Sequence, residues 1–145
     1  MRTIRPTNTT VLYCIATKDI YVDARFNYSR DEQVVGSWVD GKPLYQRTYD
    51  IPASKIPNNN NTIINITTDI DELVDFRGFL RTKDSVAVGT WTPLPRLQPN
   101  SYDKNIGVDI STSASQVYLK GSGTDFTQVF DKGYFTIQYT KTTDI

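Results

Sequence analysis

Short apolar or alternating runs recur along this chain between clusters of Gly, Pro, Asn and Asp, at 10–16, 19–26, 33–39, 43–49, 62–67, 73–81, 85–91, 106–110, 116–120, 125–130 and 133–141. Alternation with period two puts one face of a segment against a core and the other toward water, which is the pattern of a strand. Many short strands separated by turn residues predict an all-β fold, a single β-sandwich or jelly-roll-like domain. Between two of the runs stands Asp40-Gly41, the pair that best tolerates positive φ, so 33–49 is expected to be a tight hairpin with a type I′ turn. Ser29 and Glu32 have capping-box spacing, in which each side chain satisfies the other's backbone N–H, and predict a single helical turn. A second short helical turn is expected at 68–73, ahead of the strand 73–81. Pro93, Pro95 and Pro99 remove ladder donors and fix φ, so 91–100 reads as an ordered surface loop. Asn58 to Asn61 read as a polar loop tip.

Composition agrees with this outline and narrows the partners. Nineteen threonines, nine tyrosines and six phenylalanines against a single methionine favour the pleated surface over the helix. A length of 145 residues, 38% of them hydrophobic, fits one domain with a real core. Sixteen basic residues balance sixteen acidic ones, which leaves no surplus of charge for phosphate backbones or anionic lipids, so nucleic acid is not an expected partner. No apolar run reaches the roughly 18 residues of a membrane span, and no membrane insertion is expected.

The chain has no histidine, which removes Ser-His and Cys-His nucleophile pairs, imidazole acid–base catalysis near neutral pH and His-ligated zinc. Cys14, the one cysteine, lies in an apolar run and is expected to fill core space, so no disulfide forms within one chain. The N-terminus lacks the apolar core of a secretory signal. Asp69, Asp71, Glu72 and Asp75 are close in sequence but lack EF-hand spacing, and Arg77 is at hand to pair with them, so no metal and no cofactor is called for. Paired carboxylates could cleave glycosides without histidine, but sixteen acids offer no way to choose a pair, and the chain is read as not an enzyme. Aromatic rings beside Asn or Asp are equipment for binding a sugar, the ring stacking on C–H groups and the polar groups fixing hydroxyls. Trp91, Tyr102, Asp103 and Asn105 have that chemistry and are the candidate ligand residues, with core packing the competing reading of Trp91 because it closes the run 86–88. Asn8, Asn27, Asn60 and Asn65 head N-x-Ser/Thr triplets, a number that this Asn-, Ser- and Thr-rich composition explains.

The stretch Tyr28-Ser29-Arg30-Asp31-Glu32-Gln33-Val34-Val35-Gly36-Ser37-Trp38-Val39-Asp40-Gly41-Lys42-Pro43-Leu44-Tyr45 resembles a module that recurs at the C-terminal ends of tail-fibre, baseplate, neck and other virion proteins of tailed bacteriophages and prophages. The closing Phe135-Thr136-Ile137-Gln138-Tyr139-Thr140-Lys141-Thr142-Thr143-Asp144 resembles the ending of the same module. The two stretches bracket 28–144, about four fifths of the chain. The first is carried by Ser29, Glu32, Gln33, Gly36, Trp38, Asp40, Gly41, Pro43 and Tyr45. The resemblance implies a non-enzymatic virion component whose β-rich head domain, 28–145, sits on an appendage as a homotrimer. Its partners would be other virion proteins and a host surface polysaccharide or protein, and it would assemble in the host bacterial cytoplasm and leave by lysis. Residues 1–27 would then be N-terminal strands of the same domain or the end of a preceding shaft.

The same residues have a physical reading. Ser29 and Glu32 would cap a turn, Val34, Val35 and Trp38 would enter a core or subunit interface, Asp40-Gly41 would turn the hairpin, and Pro43 would start its return strand. The motif is therefore expected to build the scaffold, with ligand contacts coming from loops in 51–132. Two other readings stay open: a purely structural neck, head-fibre or capsid-decoration module without receptor binding, and a monomeric carbohydrate-binding module or glycan hydrolase.

Overall fold

The computed structural model describes residues 28–98, 104–121 and 123–144. The strands expected at 10–16 and 19–26, together with Cys14, Asn8, Asn27, Tyr102 and Asp103, lie outside them. Among the described residues the chain forms β1 (Gln33–Ser37), β2 (Pro43–Ile51), β3 (Asn61–Asn65), β4 (Ile70–Thr82), β5 (Trp91–Leu94), β6 (Ile106–Ser111), β7 (Gln116–Gly121) and β8 (Phe130–Lys141). Every pairing is antiparallel, in a five-stranded sheet of order β1-β2-β8-β4-β5 and a three-stranded sheet of order β3-β7-β6. This is the all-β sandwich that the alternating pattern predicts.

Period two decides what the sheets enclose. In β8, Phe135, Ile137 and Tyr139 are fully buried while Tyr134, Thr136 and Gln138 face outward. Ile51, Leu80 and Leu94 join them from the large sheet, and Ile64, Ile106, Val117 and Leu119 from the small one, in a single core cluster. Each such side chain contributes about 1.5–3 kcal/mol by leaving water. Phe126 and Phe130 close one end beneath Arg96, whose guanidinium lies 5.9 and 5.5 Å from the two rings. Gly133 lets β4 and β8 approach: a Cβ there would stand 2.3 Å from Phe79 O and 2.7 Å from Leu80 Cδ2.

Several local expectations are corrected. In the β1–β2 hairpin, Trp38 N donates to Lys42 O at 2.8 Å and Gly41 N to Trp38 O at 2.9 Å, and Gly41 has φ +89° while Asp40 does not enter the positive region. The connection is thus a three-residue loop ending in a left-handed glycine, not a two-residue type I′ turn. Asp40 Oδ1 accepts from Lys42 N at 2.9 Å. No helical turn forms at 29–32: Ser29 Oγ accepts from Asp31 N at 3.0 Å, and Glu32 reaches across to β8, where charged and hydroxyl donors outcompete a backbone amide. None forms at 68–73 either, because Asp69 O accepts from Thr142 N at 2.8 Å and the Glu72 N–H goes to Thr140 Oγ1 at 3.2 Å. Short 3-10 turns form instead at Ala53–Lys55 and Phe126–Gln128, the latter replacing the strand expected at 125–130 and capped by Asp125, which accepts from Thr127 N at 3.0 Å.

The run 85–91 is not a strand. The N–H groups of Val86 and Ala87 both return to Lys83 O, and Thr82 N donates to Thr90 O, so 83–90 is a loop that leaves Val88 79% exposed. The strand begins only at Trp91 and continues through Pro93, within the segment read as a loop. An edge strand has one unpaired side, where a missing donor costs no ladder bond.

Candidate ligand-binding face

The outward residues of the five-stranded sheet fall into rows set by its register. Gln46, Gln138 and Asp75 make one row, and Thr48, Thr136 and Arg77 the next. Asp50, Tyr134, Phe79 and Pro93 follow, then Lys132, Arg81 and Trp91. Register shifts interrupt β4 between Ile70 and Asp75 and again between Arg81 and Thr82, and such bulges bend a strand out of a flat sheet. The face holds a groove of about 450 Å³ lined by the first two rows, by Tyr134 and Phe79 of the third, and by Tyr28, within the range of small-ligand sites.

One end of this face is aromatic. The Tyr134 ring lies 6.1 Å from Phe79 and 5.9 Å from Trp91, tilted by 47° and 59°. Tyr134 and Trp91 remain 41% and 44% exposed, so the rings meet solvent as well as one another. The other end is polar. Gln138 Nε2 donates to Gln46 Oε1 at 2.9 Å, and the Thr48 and Thr136 hydroxyls share a hydrogen bond of 2.8 Å. Each pair is oriented by its internal bond and keeps capacity over: an amide N–H and an amide oxygen from the glutamines, one O–H from the threonines. The two arginines here are compensated. Arg77 stands 3.4 Å from Asp75, and Arg81 2.9 Å from both Asp131 and Asp84. The carboxyl of Asp50 is held below the ordinary aspartate value by its hydrogen bond from Arg30 and, more weakly, by the charge of Lys132.

At the opposite end of β8 a second cluster joins the two quoted stretches. Glu32 accepts from the Tyr139 hydroxyl and, at 2.7 Å, from Lys141 Nζ. Tyr45 donates to Asp144 at 2.6 Å, and Lys141 Nζ stands 4.9 Å over the Tyr45 ring. Burial pushes the Glu32 carboxyl up, but the hydrogen bonds from Lys141 and Tyr139 outweigh it and hold the group below its ordinary value. The bond to Asp144 pushes the Tyr45 phenol up to about 12, while burial, followed by the bond to Glu32, raises that of Tyr139. These groups are bound to one another and form a lock between β1, β2 and β8.

The residues picked from the sequence are dispersed. Trp91 belongs to the aromatic end of the face and not to the core, correcting the reading that its apolar neighbours suggested. Asn105 Oδ1 accepts from Gln98 N at 2.6 Å and ties the proline segment to the start of β6. Tyr102 and Asp103 lie outside the described residues. Within the first motif, Pro43 opens β2 as expected, and Gly36 sits at a register shift of β1. Val34 is exposed and Trp38 and Val35 only half-buried, so none of the three enters the core. Gln33 Oε1 is buried with no hydrogen-bond partner among the described residues. The acids at 69–75 do not converge: Asp71 pairs with Lys42 at 2.6 Å and Asp75 with Arg77. Tyr134, Phe79, Gln46, Gln138, Thr48 and Thr136 were not picked. Their signal is the outward phase of the strands, which is readable only once the inward phase is known. No protein-family model matches the chain, no curated protein matches it, and no solved structure matches it.

Proposed function

We propose that this chain is a non-enzymatic virion protein of a tailed bacteriophage or prophage, the head domain of a tail fibre or related appendage, that assembles as a homotrimer and binds a host surface receptor. The observation that carries the adhesive part is the outer face of the five-stranded sheet, where exposed rings and oriented polar pairs share one groove. The virion assignment rests on the resemblance of 28–45 and 135–144 to appendage modules. It is supported by the way those stretches meet: they form β1, the start of β2 and most of β8, neighbours in one sheet, locked through Glu32, Tyr45, Tyr139, Lys141 and Asp144. Two stretches that far apart in sequence form one structural unit, as the brackets of a single module should.

Labelled chain is applied to a panel of bacterial cells that includes the strain encoding it, and its mass is followed by light scattering across a dilution series. Saturable binding, weakened by substitutions in the groove, and a mass of about 50 kDa for three copies of 16.5 kDa are expected. Absence of binding to any strain refutes adhesion and favours the purely structural module. A constant monomer mass refutes the trimer.

A further inference from the structure

The geometry points to the groove on the outer face of the large sheet as the binding site of a neutral, extended saccharide. This rests on the adhesive reading above and narrows it to one surface and one ligand class. Three features select the class. Tyr134 and Phe79 line the groove and Trp91 continues them beyond its edge; the Tyr134 ring is tilted against both rather than stacked flat, a stepped apolar wall suited to the C–H faces of pyranose rings. Beside it, the Gln46–Gln138 and Thr48–Thr136 pairs are oriented by their internal hydrogen bonds and retain both donors and acceptors, which is what a hydroxyl requires of its partner. Along β4 the lining runs from Asp75 to Phe79, about 14 Å at about 3.4 Å per residue, the length of a short oligosaccharide and not of one ring.

Charge and layout exclude the competing occupants. An acidic polysaccharide needs uncompensated cations, whereas the one cation in the groove lining, Arg77, stands 3.4 Å from Asp75, and Arg81 beyond it pairs with Asp84 and Asp131. A protein partner would call for an apolar centre inside a polar rim. This face lacks that plan: its Gln and Thr pairs hold one end and its rings the other.

The full chain is titrated against immobilised neutral tetrasaccharides built of glucose, galactose, rhamnose and N-acetylhexosamines, and against a matched set carrying uronic acid or phosphate. Saturable binding to at least one neutral member is expected. It should weaken at least tenfold in Tyr134→Ala and in Trp91→Ala, remain in the off-face control Lys104→Ala, and change less than twofold between low and high salt. Both ring substitutions are at exposed positions, and a urea midpoint near that of the unsubstituted chain certifies the fold of each. Binding confined to the charged set, binding abolished by salt, or neutral binding that survives both ring substitutions overturns the proposal. If bacterial cells are bound through Tyr134 while the neutral set is silent, the ligand class is wrong and the surface right. If cells are bound equally by the ring variants, the surface is wrong and adhesion stands. If neither cells nor saccharides are bound, both readings fall.

Discussion

Glu32 tests whether the first motif is a structural lock. Its carboxylate takes a hydrogen bond from Lys141 at 2.7 Å, with side-chain exposures of 21% for Lys141 and 26% for Glu32, and a second from the Tyr139 hydroxyl. A fully exposed pair would contribute about 0–1 kcal/mol, and a hydrogen bond to a charged group in partial burial about 1.5–3 kcal/mol. Glu32→Gln keeps an acceptor for Tyr139, and Lys141 keeps the Tyr45 ring beneath it, so the substitution does not strand a buried charge. The expected loss is about 1–2 kcal/mol, a shift of roughly 0.5–1 M in the urea midpoint for a domain of this size.

The loss carries a pH signature. The folded pKa of Glu32 lies below its ordinary value, so its contribution is complete above that value and fades as pH falls through the lower, folded one. The gap between the unsubstituted chain and Glu32→Gln should therefore be full at pH 7 and shrink from about pH 4.5 downward. Urea unfolding at pH 7 and pH 3 measures both, and a cycle with Lys141→Met isolates the pair. A loss under about 0.5 kcal/mol at pH 7, or an equal loss at both pH values, would refute the lock.

Gly133→Ala should cost about 3 kcal/mol or more or prevent folding, because its new methyl meets backbone rather than a movable side chain; Gly107→Ala, whose Cβ would meet only Lys120 Cβ at 3.7 Å, should stay within about 1 kcal/mol. Phe135→Ala should cost about 3–5 kcal/mol and the half-buried Trp38→Ala roughly half of that; urea midpoints of the two variants check the order, and equal losses would place Trp38 in the core. In an alkaline titration at 295 nm, Tyr45, Tyr49 and Tyr139 should ionise late, above the ordinary tyrosine value, since all three phenols are raised above 10.0. Raised phenol values stabilise the fold below the ordinary tyrosine pKa and lose that effect as pH climbs, so unfolding should accompany the late phase; a single phase near pH 10 would contradict it.

Fold class was legible because alternation is a local property. Phe135, Ile137 and Tyr139 announce an inward face whatever the rest of the chain does. Turn chemistry was half legible: Asp40-Gly41 marked the hairpin, but whether one or both residues enter positive φ depends on the backbone bonds of Trp38 and Lys42, which lie outside the pair. Ser29–Glu32 has the spacing of a cap, and spacing cannot reveal a lysine and a tyrosine brought from more than a hundred residues away. The run 85–91 reads as a strand, and its Val86 and Val88 are exposed for a related reason: the Lys83 carbonyl gathers two amides and closes a loop. The candidate face was the least legible part. Its rows join β2, β4, β5 and β8, and outward polar residues on a strand look the same whether they meet water or a ligand.

The register of β8 also changes what the terminal motif can be. A strand with two faces need not be either scaffold or site. Phe135, Ile137 and Tyr139 fill the core, while Thr136 and Gln138, alternating with them, line the groove. From the other side, Asp75, Arg77, Phe79 and Trp91 come from the middle of the chain, where neither motif reaches. Of the nine residues that line the groove, Tyr28, Thr136 and Gln138 belong to the motifs and the other six to the sequence between them. Substitution at the outward positions of β4 and β5 could retune its ligand without touching the core, because period two keeps those side chains off the inner face. A one-residue insertion in β4 would move Phe79 and Arg77 inward and Leu80 and Gly78 outward, so ligand choice on this face must change by substitution or at the bulges. Under the proposed function, receptor range would be written in Asp75, Arg77, Phe79 and Trp91 against a fixed Thr136–Gln138 strip.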